Sequence, residues 1–293
     1  MWIFSNLNTE LSEMTSPPAG KFLLTLIIAV YNEARYLEYI LTGLRLQTMK
    51  DFEVIVADDG SGPEISRLIA GLQADLPFPV HHLWHEDAGF RKNAMLNKAI
   101  AAAATPYLVF IDGDCLPHHE FLLDHWKNRA SRTVLCGRRV NLSRPMTERL
   151  TVQTVLDRSY QRFSPALIWD GLLAQSSNLE DGVRITNPLI RRILHRNEAR
   201  ILGCNFSVEK SLIEEINGFN EDYRNPGIGE DTDVAFRLSL VGAHFSTLRY
   251  QAILYHLYHP VTRVGNENRG IFAEVERKRQ SWCPNGLTKL QKA

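Results

Sequence analysis

Tyr107-Leu-Val-Phe-Ile-Asp-Gly-Asp114 is the stretch from which the architecture of this chain is best worked out. A run of apolar, β-prone residues leads directly into two aspartates, and such a run is typical of a buried parallel strand. The strand would deliver Asp112 and Asp114 to the mouth of a sheet, where burial of an unpaired carboxylate is costly. We therefore expect a cation beside them, and a divalent ion that holds a phosphate is the obvious candidate.

Length and composition narrow the class of protein. The chain has 293 residues and a hydrophobic share of 44%, enough for one large domain or two small ones. Its 33 basic and 33 acidic residues balance, so no bulk charge favours a nucleic acid, and we expect none as a partner. The four cysteines form no CxxC pair, which indicates a reduced, cytoplasmic setting rather than a disulfide scaffold or a zinc site.

The sequence also predicts how the chain relates to membranes. Residues 1–20 contain no Lys or Arg and no apolar core, so we expect an irregular N-terminal segment rather than a signal peptide. The longest apolar stretches, 22–30 and 99–111, are too short or too interrupted to span a bilayer. Residues 184–200 carry five arginines against one acid, and a helix opened by Pro188 would be basic and amphipathic. Such a helix suits the inner face of a membrane, an anionic acceptor or simply a solvated surface.

Strands and helices alternate along the first half of the chain. Strands are predicted at 22–29, 52–57, 80–84 and 107–111, with helices at 33–46, 64–74 and 92–104, the first of them capped by Asn32. Short connections between alternating elements indicate a doubly wound, mostly parallel α/β sheet, and we assign its nucleotide-binding half to about 21–140. Ligands of such sheets bind beyond the carboxyl ends of the strands. Three polar clusters fall at those ends: Tyr31-Asn32, Asp58-Asp59 and Asp112–Asp114.

The pattern loosens after about residue 140. We expect a helical, irregular insertion at about 141–200, followed by an acceptor-side half of mixed elements at about 201–260. In that half, strands are predicted at 202–208 and 252–256 and helices at 210–217 and 231–240. The polar tail, 261–293, is expected to pack on the surface of the domain.

The order of the motifs resembles the family 2 glycosyltransferases, which are nucleotide-sugar-dependent enzymes with the GT-A fold. The matching segments are Ala29-Val-Tyr-Asn32, Val56-Ala-Asp-Asp-Gly-Ser61, Gly89-Phe-Arg-Lys-Asn93, Asp112-Gly-Asp114, Gly203-Cys-Asn-Phe206 and Gly229-Glu-Asp231. They cover roughly residues 22–260, and the part from Gly218 onward is similar to the galactosyltransferase and chondroitin-polymerase branch. The resemblance implies a GT-A domain with a Rossmann-like nucleotide half.

The Asp-Gly-Asp segment resembles the DxD motif of that family. The resemblance implies that Asp114 binds a divalent ion, Mn²⁺ or Mg²⁺, and that Asp112 accepts bonds from the ribose or reaches the ion through water. Gly113 would let the backbone approach the ligand closely. A helix-capping turn is the competing interpretation, because Asp-Gly-Asp also suits turns.

Other positions at the strand ends are similar to the nucleotide contacts of the family. Tyr31, beside Asn32, would stack on the base, and Arg91 would approach the nucleotide. Asp58 or Asp59 would accept the N–H of a uracil ring, and we prefer Asp59, although one of them also suits the cap of the next helix.

The resemblance assigns the catalytic base, the acceptor contact and a further metal ligand to the second half of the chain. The resemblance implies that Asp231 is the catalytic base, that Glu230 binds acceptor hydroxyls and that Asn205 offers its amide to the donor sugar. One histidine would complete the metal shell, and we prefer His256 to His259 because it lies nearest the predicted strand end. Acidic residues also favour helix starts, which is the alternative for Glu230 and Asp231.

The resemblance, together with the presence of one plausible base, implies an inverting, metal-dependent transfer of sugar from a nucleotide sugar, expected to be a UDP-sugar, to a hydroxyl of a glycan or a lipid-linked glycan. A sugar nucleotidyltransferase and a non-catalytic nucleotide-sugar-binding protein are the alternatives. The first would carry a glycine-rich basic loop where this chain has Val30-Tyr-Asn-Glu33. The second would not need the Glu230-Asp231 pair.

Overall fold

The computed structural model describes residues 21–289 except 163, 174, 195–198, 228 and 261–266. The expected N-terminal segment, 1–20, lies outside the described residues, as do part of the basic segment and the end of the tail. Among the residues that are described, no helix has the length and apolar character needed to cross a bilayer.

The nucleotide half is a parallel sheet with helices between its strands. The strands are β1 (Leu24–Val30), β2 (Phe52–Asp58), β3 (Val80–Trp84) and β4 (Tyr107–Asp112), and the helices are α1 (Ala34–Leu44), α2 (Pro63–Leu72) and α3 (Lys92–Ala102). The strands lie in the order β3-β2-β1-β4, and every residue of β1 and β2 is buried. The prediction of a doubly wound, mostly parallel α/β sheet is confirmed for this half.

The rest of the chain extends this sheet and adds a smaller one. The elements that follow β4 are β5 (Cys115–Pro117), α4 (Phe121–Asn128), β6 (Thr133–Cys136), β7 (Arg139–Asn141), α5 (Arg144–Glu148), α6 (Val152–Leu156), α7 (Pro165–Leu172), α8 (Pro188–Leu194), β8 (Phe206–Glu209), α9 (Lys210–Glu215), α10 (Asp231–Leu240), β9 (His244–Thr247), β10 (Leu254–His256) and α11 (Glu267–Lys278). The large sheet continues β4-β8-β6-β9, and β8 runs antiparallel to both of its neighbours. The small sheet has the order β5-β10-β7.

The hydrophobic core lies on both faces of the large sheet. Side chains of β1 alternate between the faces: Leu26 and Ile28 pack into one cluster, and Ile27 packs into the other. Phe110 of β4 stacks on Phe206 of β8 with ring centroids 4.5 Å apart, which joins the parallel and antiparallel parts. Because both faces are covered, the carboxyl-terminal edge of the sheet is where polar groups reach solvent.

Two local predictions are wrong, and one helix was not predicted. Asn32 does not cap α1; it has a φ of 55°, and Glu33 takes the cap position without a side-chain bond. Gly203-Cys-Asn-Phe206 lies mostly in a turn, because β8 begins only at Phe206. The tail contains the helix α11, which its polar composition did not indicate.

Candidate active site

A cleft of about 660 Å³ opens at the carboxyl ends of β1, β2 and β4. Its walls combine the predicted donor-side groups with residues from far along the chain. The lining includes Tyr31, Glu33, Asp59, Lys92, Asp112, Gly113, Asp114, Arg139, Glu230, His256 and His259. Gly113 stands close to β1, since a Cβ there would lie 3.0 Å from the carbonyl oxygen of Ala29.

Asp114, His256 and His259 converge on one point of this cleft. The Nε2 atoms of His256 and His259 lie 3.4 and 3.1 Å from Asp114 Oδ2, and one ligand atom from each residue lies within 4.8 Å of the others. The antiparallel register of β5 and β10 sets His256 opposite Cys115, the residue after Asp114. The carboxylate and two imidazoles form a ligand set that suits a first-row divalent ion.

The electrostatics of this cluster favour charge on both partners. A hydrogen bond to Asp114 raises the pKa of His259 to about 9, against the effect of burial. Burial by itself would raise the pKa of Asp114, but hydrogen bonds from both histidines outweigh it and hold that pKa well below its usual range. Asp114 is therefore ionised, as a metal ligand must be, whereas His259 would have to release its proton before its imidazole could bind a metal.

Residues of the helical insertion help to place His259. The backbone N–H of Tyr258 donates to Thr147 Oγ1 at 2.9 Å, and the carbonyl of Tyr258 accepts from the Tyr36 hydroxyl at 2.7 Å. The segment after β10 is thus held from two sides immediately before His259. Both histidines, and not only the preferred His256, reach Asp114.

Lys92 joins the two halves of the cleft. Its ammonium, at the start of α3, lies 2.8 Å from Asp112 Oδ1 and 2.9 Å from Glu230 Oε2. Burial opposes the charge on Lys92, but the two carboxylates raise its pKa well above the ordinary value. Burial raises the pKa of Glu230, with Lys92 acting in the opposite direction.

Asp231 occupies the first turn of α10, directly after Glu230. Its Oδ2 accepts from the backbone N–H of Gly203 at 3.1 Å, so the turn before β8 orients the carboxylate. Gly229 has a φ of +119°, and a Cβ there would lie 2.3 Å from the Tyr223 ring, which explains the glycine before the acidic pair. The structure therefore places Glu230 in the wall of the cleft that contains Asp114, with Asp231 next to it.

The two aspartates after β2 have different surroundings. Asp58 is fully buried; it accepts from the Ser61 backbone N–H at 2.8 Å and pairs with His82 at 2.8 Å, so it closes the turn before α2. Asp59 lines the cleft, where its two oxygens meet His85 Nε2 at 2.7 Å and the Arg91 backbone N–H at 2.9 Å. This division favours Asp59 as the ligand-facing residue.

The remaining donor-side residues differ in whether their side chains face the cleft. Tyr31 is half exposed at the cleft, and its hydroxyl donates to Asp87. Asn32 accepts from the Gly62 N–H at 3.1 Å and so holds the loop beside Tyr31. The Arg91 guanidinium donates to the carbonyl of Glu86 instead of lining the cleft.

Asn205 is not brought to the cleft. It is fully buried, and its amide donates to the carbonyls of Arg138 and Ala252 at 2.7 and 2.9 Å. Its Oδ1 meets His125 Nε2 at 3.2 Å. The polar atoms of this side chain are used to join β7, β8 and the approach to β10, which leaves none for a donor sugar.

Three charged residues of the cleft, Glu33, Lys92 and Arg139, were given no role by the sequence reasoning. Glu33 was expected only as the start of α1, and burial together with Asp114 raises its pKa. Arg139 lies on β7 in a region without a recognised motif, and its guanidinium meets Cys204 Sγ at 3.4 Å. No local signal marks Arg139, since its position depends on the pairing of β7 with β10.

Comparison with solved structures identifies the fold as that of the GT-A glycosyltransferases. A crystal structure of TarS 1-349 from S. aureus in complex with UDP superposes with a TM-score of 0.55 at 18% identity, covering 86% of this chain and 63% of that one. The mannosyltransferase PcManGT from Pyrobaculum calidifontis, in complex with GDP-Man and Mn²⁺, gives a TM-score of 0.51 at 19% identity, covering 92% of this chain and 65% of that one.

The chain belongs to glycosyl transferase family 2, whose model matches residues 25–215. A second model, described as the N-terminal domain of galactosyltransferase, matches residues 193–260. The family is that of the sequence resemblance, so the chain is a glycosyltransferase.

Curated relatives are distant. Validoxylamine A glucosyltransferase of Streptomyces hygroscopicus subsp. jinggangensis is 25% identical over 88% of this chain and 67% of its own length. Chondroitin synthase of Escherichia coli is 25% identical over 84% of this chain, which spans only 35% of that protein.

Proposed function

We propose that this protein is an inverting, metal-dependent glycosyltransferase that moves a sugar from a UDP-sugar to a hydroxyl of a glycan or a lipid-linked glycan. The observation that carries the proposal is the cleft itself. Its lining includes Asp114, His256, His259 and Glu230, which come from separate parts of the chain, and Asp231 directly follows Glu230 at the start of α10. Inversion is inferred from the family resemblance together with one plausible base.

The chemistry follows from the positions of the carboxylates. Asp231 accepts the proton of the acceptor hydroxyl while the oxygen attacks the anomeric carbon from the face opposite the diphosphate. The bond from that carbon to the diphosphate breaks, its electron pair leaves with the diphosphate, and the configuration inverts. Glu230 orients the acceptor by accepting hydrogen bonds from its hydroxyls. A divalent ion bound by Asp114, His256 and His259 would stabilise the charge on the leaving group.

The ligand set supports Mn²⁺ over Mg²⁺. Mg²⁺ prefers oxygen ligands in a strict octahedron, whereas Mn²⁺ accepts imidazole readily beside carboxylate oxygen. PcManGT contains Mn²⁺ in its complex, which agrees with this choice. For the donor base we favour uracil, with Asp59 accepting its ring N–H and Tyr31 stacking on it, and TarS has been crystallised with UDP. The E. coli chondroitin synthase relative favours a polysaccharide acceptor.

UDP with Mn²⁺ is expected to raise the melting temperature of the wild-type protein, because a ligand that binds only the native state stabilises it. Asp59→Asn should abolish most of this shift; the ligand-free melting temperature should fall as well, because Asp59 also pairs with His85 and accepts from the Arg91 N–H. Asp58→Asn is the matched control: it disturbs a buried turn, so the ligand-free melting temperature should fall while the shift persists. The measurement is a thermal-shift panel of UDP, GDP and their sugars with Mn²⁺. A wild-type protein that responds to none of them would contradict the proposed function.

The helical insertion offers a surface for peripheral membrane contact. Of the fifteen exposed large apolar side chains in the described part of the chain, eleven lie between residues 152 and 194. On α7 and α8 they include Trp169, Leu172 and Ile193, whose exposed fractions are 64%, 74% and 82%. α8 also carries the exposed Arg192 and no acidic residue. Exposed Trp, Leu and Ile beside arginine match an anionic bilayer surface, so we propose that this insertion rests on anionic lipid.

The double variant Leu172→Ser, Ile193→Ser is expected to bind phosphatidylglycerol vesicles about tenfold or more weakly than the wild type, since each side chain contributes about 1.5–3 kcal/mol when buried. Flotation with phosphatidylglycerol and with phosphatidylcholine vesicles measures this. Trp282→Ser, which removes an exposed aromatic side chain outside the insertion, is the control and should bind as the wild type does. Failure of the wild type to float, or dimers that the double variant dissociates, would assign the surface to another partner.

A further inference from the structure

The first turns of α3 contact both the donor side and the acceptor side of the cleft. The Arg91 backbone N–H, at the cap of α3, donates to Asp59 on the donor side. The next residue, Lys92, bonds Glu230 on the acceptor side. Adjacent positions of one helix therefore link the carboxylate proposed for the base to the carboxylate proposed for the acceptor.

The same helix also holds the segment that leads to α10. The amide of Asn93 donates to the carbonyl of Asn220 at 2.8 Å, and the amide of Asn97 donates to the carbonyl of Phe219 at 2.8 Å. Both asparagines are buried. The chain from 219 to 221 is thus fixed to α3, and Lys92 adds a charged contact at Glu230, just before α10 begins.

The ammonium of Lys92 separates two carboxylates, those of Asp112 and Glu230, that would otherwise repel each other. Asp112 and Glu230 each lie within 2.9 Å of the same nitrogen, and the exposed fractions of the Lys92, Asp112 and Glu230 side chains are 19%, 26% and 13%. Without the ammonium, two carboxylates would face each other in a partly dry site that also contains Asp114. Like charges in such surroundings repel strongly, so Glu230 would turn away.

We propose that Lys92 is a positioning residue that fixes Glu230, and with it the first turn of α10, against Asp112 on the donor side of the cleft. The inference rests on the proposed function for what Glu230 and Asp231 do, but the contact itself belongs to the ligand-free protein. Lys92 thereby sets the distance between the group that meets the donor and the groups that meet the acceptor. In this role it acts through Glu230 and does not need to touch the substrate.

Replacement of Lys92 by Met is expected to speed amide hydrogen exchange in the peptide 231–240 of the ligand-free protein by about tenfold, the usual scale for loss of a charged hydrogen bond. Affinity for UDP with Mn²⁺, measured by calorimetry, should fall far less than the turnover rate does, because Lys92 also pairs with Asp112 but the metal cluster is intact. The rate of UDP release from a UDP-sugar should fall through kcat and not through KM. Lys92→Arg, which keeps the charge, should restore most of the exchange protection.

A double-mutant cycle separates this role from the alternatives. In a Glu230→Ala background, Lys92→Met should add nothing to exchange in 231–240, since the partner is already gone. Lys210→Met is the control, because that lysine donates to a backbone carbonyl, that of Ala103 at 2.8 Å, and lies outside the cleft. Additive effects of the two substitutions would overturn the proposal, because they would show that Lys92 does not act through Glu230. Unchanged exchange together with a loss of UDP affinity would also overturn it and make Lys92 a direct phosphate ligand. If the wild-type protein binds no nucleotide, the proposed function is contradicted, but the proposed role of Lys92 is still tested, because the exchange measurement needs no ligand.

Discussion

Asp231→Asn will lower the rate of UDP release from the donor sugar by about a thousandfold, within the range of general base catalysis. Asparagine keeps the shape of the side chain and can still accept from the Gly203 N–H, so the turn before β8 should stay in place. What it loses is the capacity to take a proton from the attacking hydroxyl. Calorimetry with UDP and Mn²⁺ should give wild-type affinity, because the metal cluster lies on other residues.

Asp233→Asn is the matched control on the same helix. Asp233 is fully buried, bonds Arg237 Nε at 2.7 Å and accepts from the Tyr223 hydroxyl at 3.2 Å, so it supports the fold and faces no ligand. Its replacement should lower the melting temperature, since the buried Arg237 loses its counter-charge, whereas Asp231→Asn should not. If Asp231→Asn keeps normal turnover, another group takes the proton and Asp231 is not the base.

Most of the donor side could be predicted because its signals are local. A buried strand that ends in acidic residues can be predicted from a few consecutive positions, and β2 and β4 both have this pattern. Parallel strands then bring those ends to one edge without further information. The pair Glu230 and Asp231 was singled out by the family resemblance and by the helix start predicted there, and α10 does begin at Asp231.

The failures share a physical cause, which is dependence on distant pairing. A buried amide that satisfies backbone carbonyls, as in Asn205, has the same sequence signature as one aimed at a ligand. Arg139 reaches the cleft only because β7 pairs with β10, and each of these strands has three residues. Elements that short leave almost no periodic pattern. The preference for His256 over His259 likewise depended on the path of the chain after β10, which the contacts of Tyr258 with distant residues fix.

Asp114→Ala is expected to abolish the Mn²⁺-dependent part of UDP binding, with an affinity loss of about a hundredfold or more, because even outer-shell changes at metal sites cost ten- to a hundredfold. Calorimetry with UDP, with and without Mn²⁺, measures this, and electron paramagnetic resonance of Mn²⁺ reports the metal directly. Residual metal-free affinity should match the wild type in chelator, since Asp59 and Tyr31 are untouched.

Single replacements of His256 and His259 test whether both imidazoles bind the metal. Their Nε2 atoms are nearly equidistant from Asp114 Oδ2, at 3.4 and 3.1 Å, so His256→Ala and His259→Ala should each weaken Mn²⁺ binding. His82→Ala is the control, because that imidazole pairs with Asp58 outside the cleft and should leave the Mn²⁺ signal unchanged. If only one cleft histidine matters, the other serves to hold Asp114 in place. Unchanged Mn²⁺ affinity in Asp114→Ala would remove this carboxylate from the metal site and with it the charge stabilisation proposed for the leaving diphosphate.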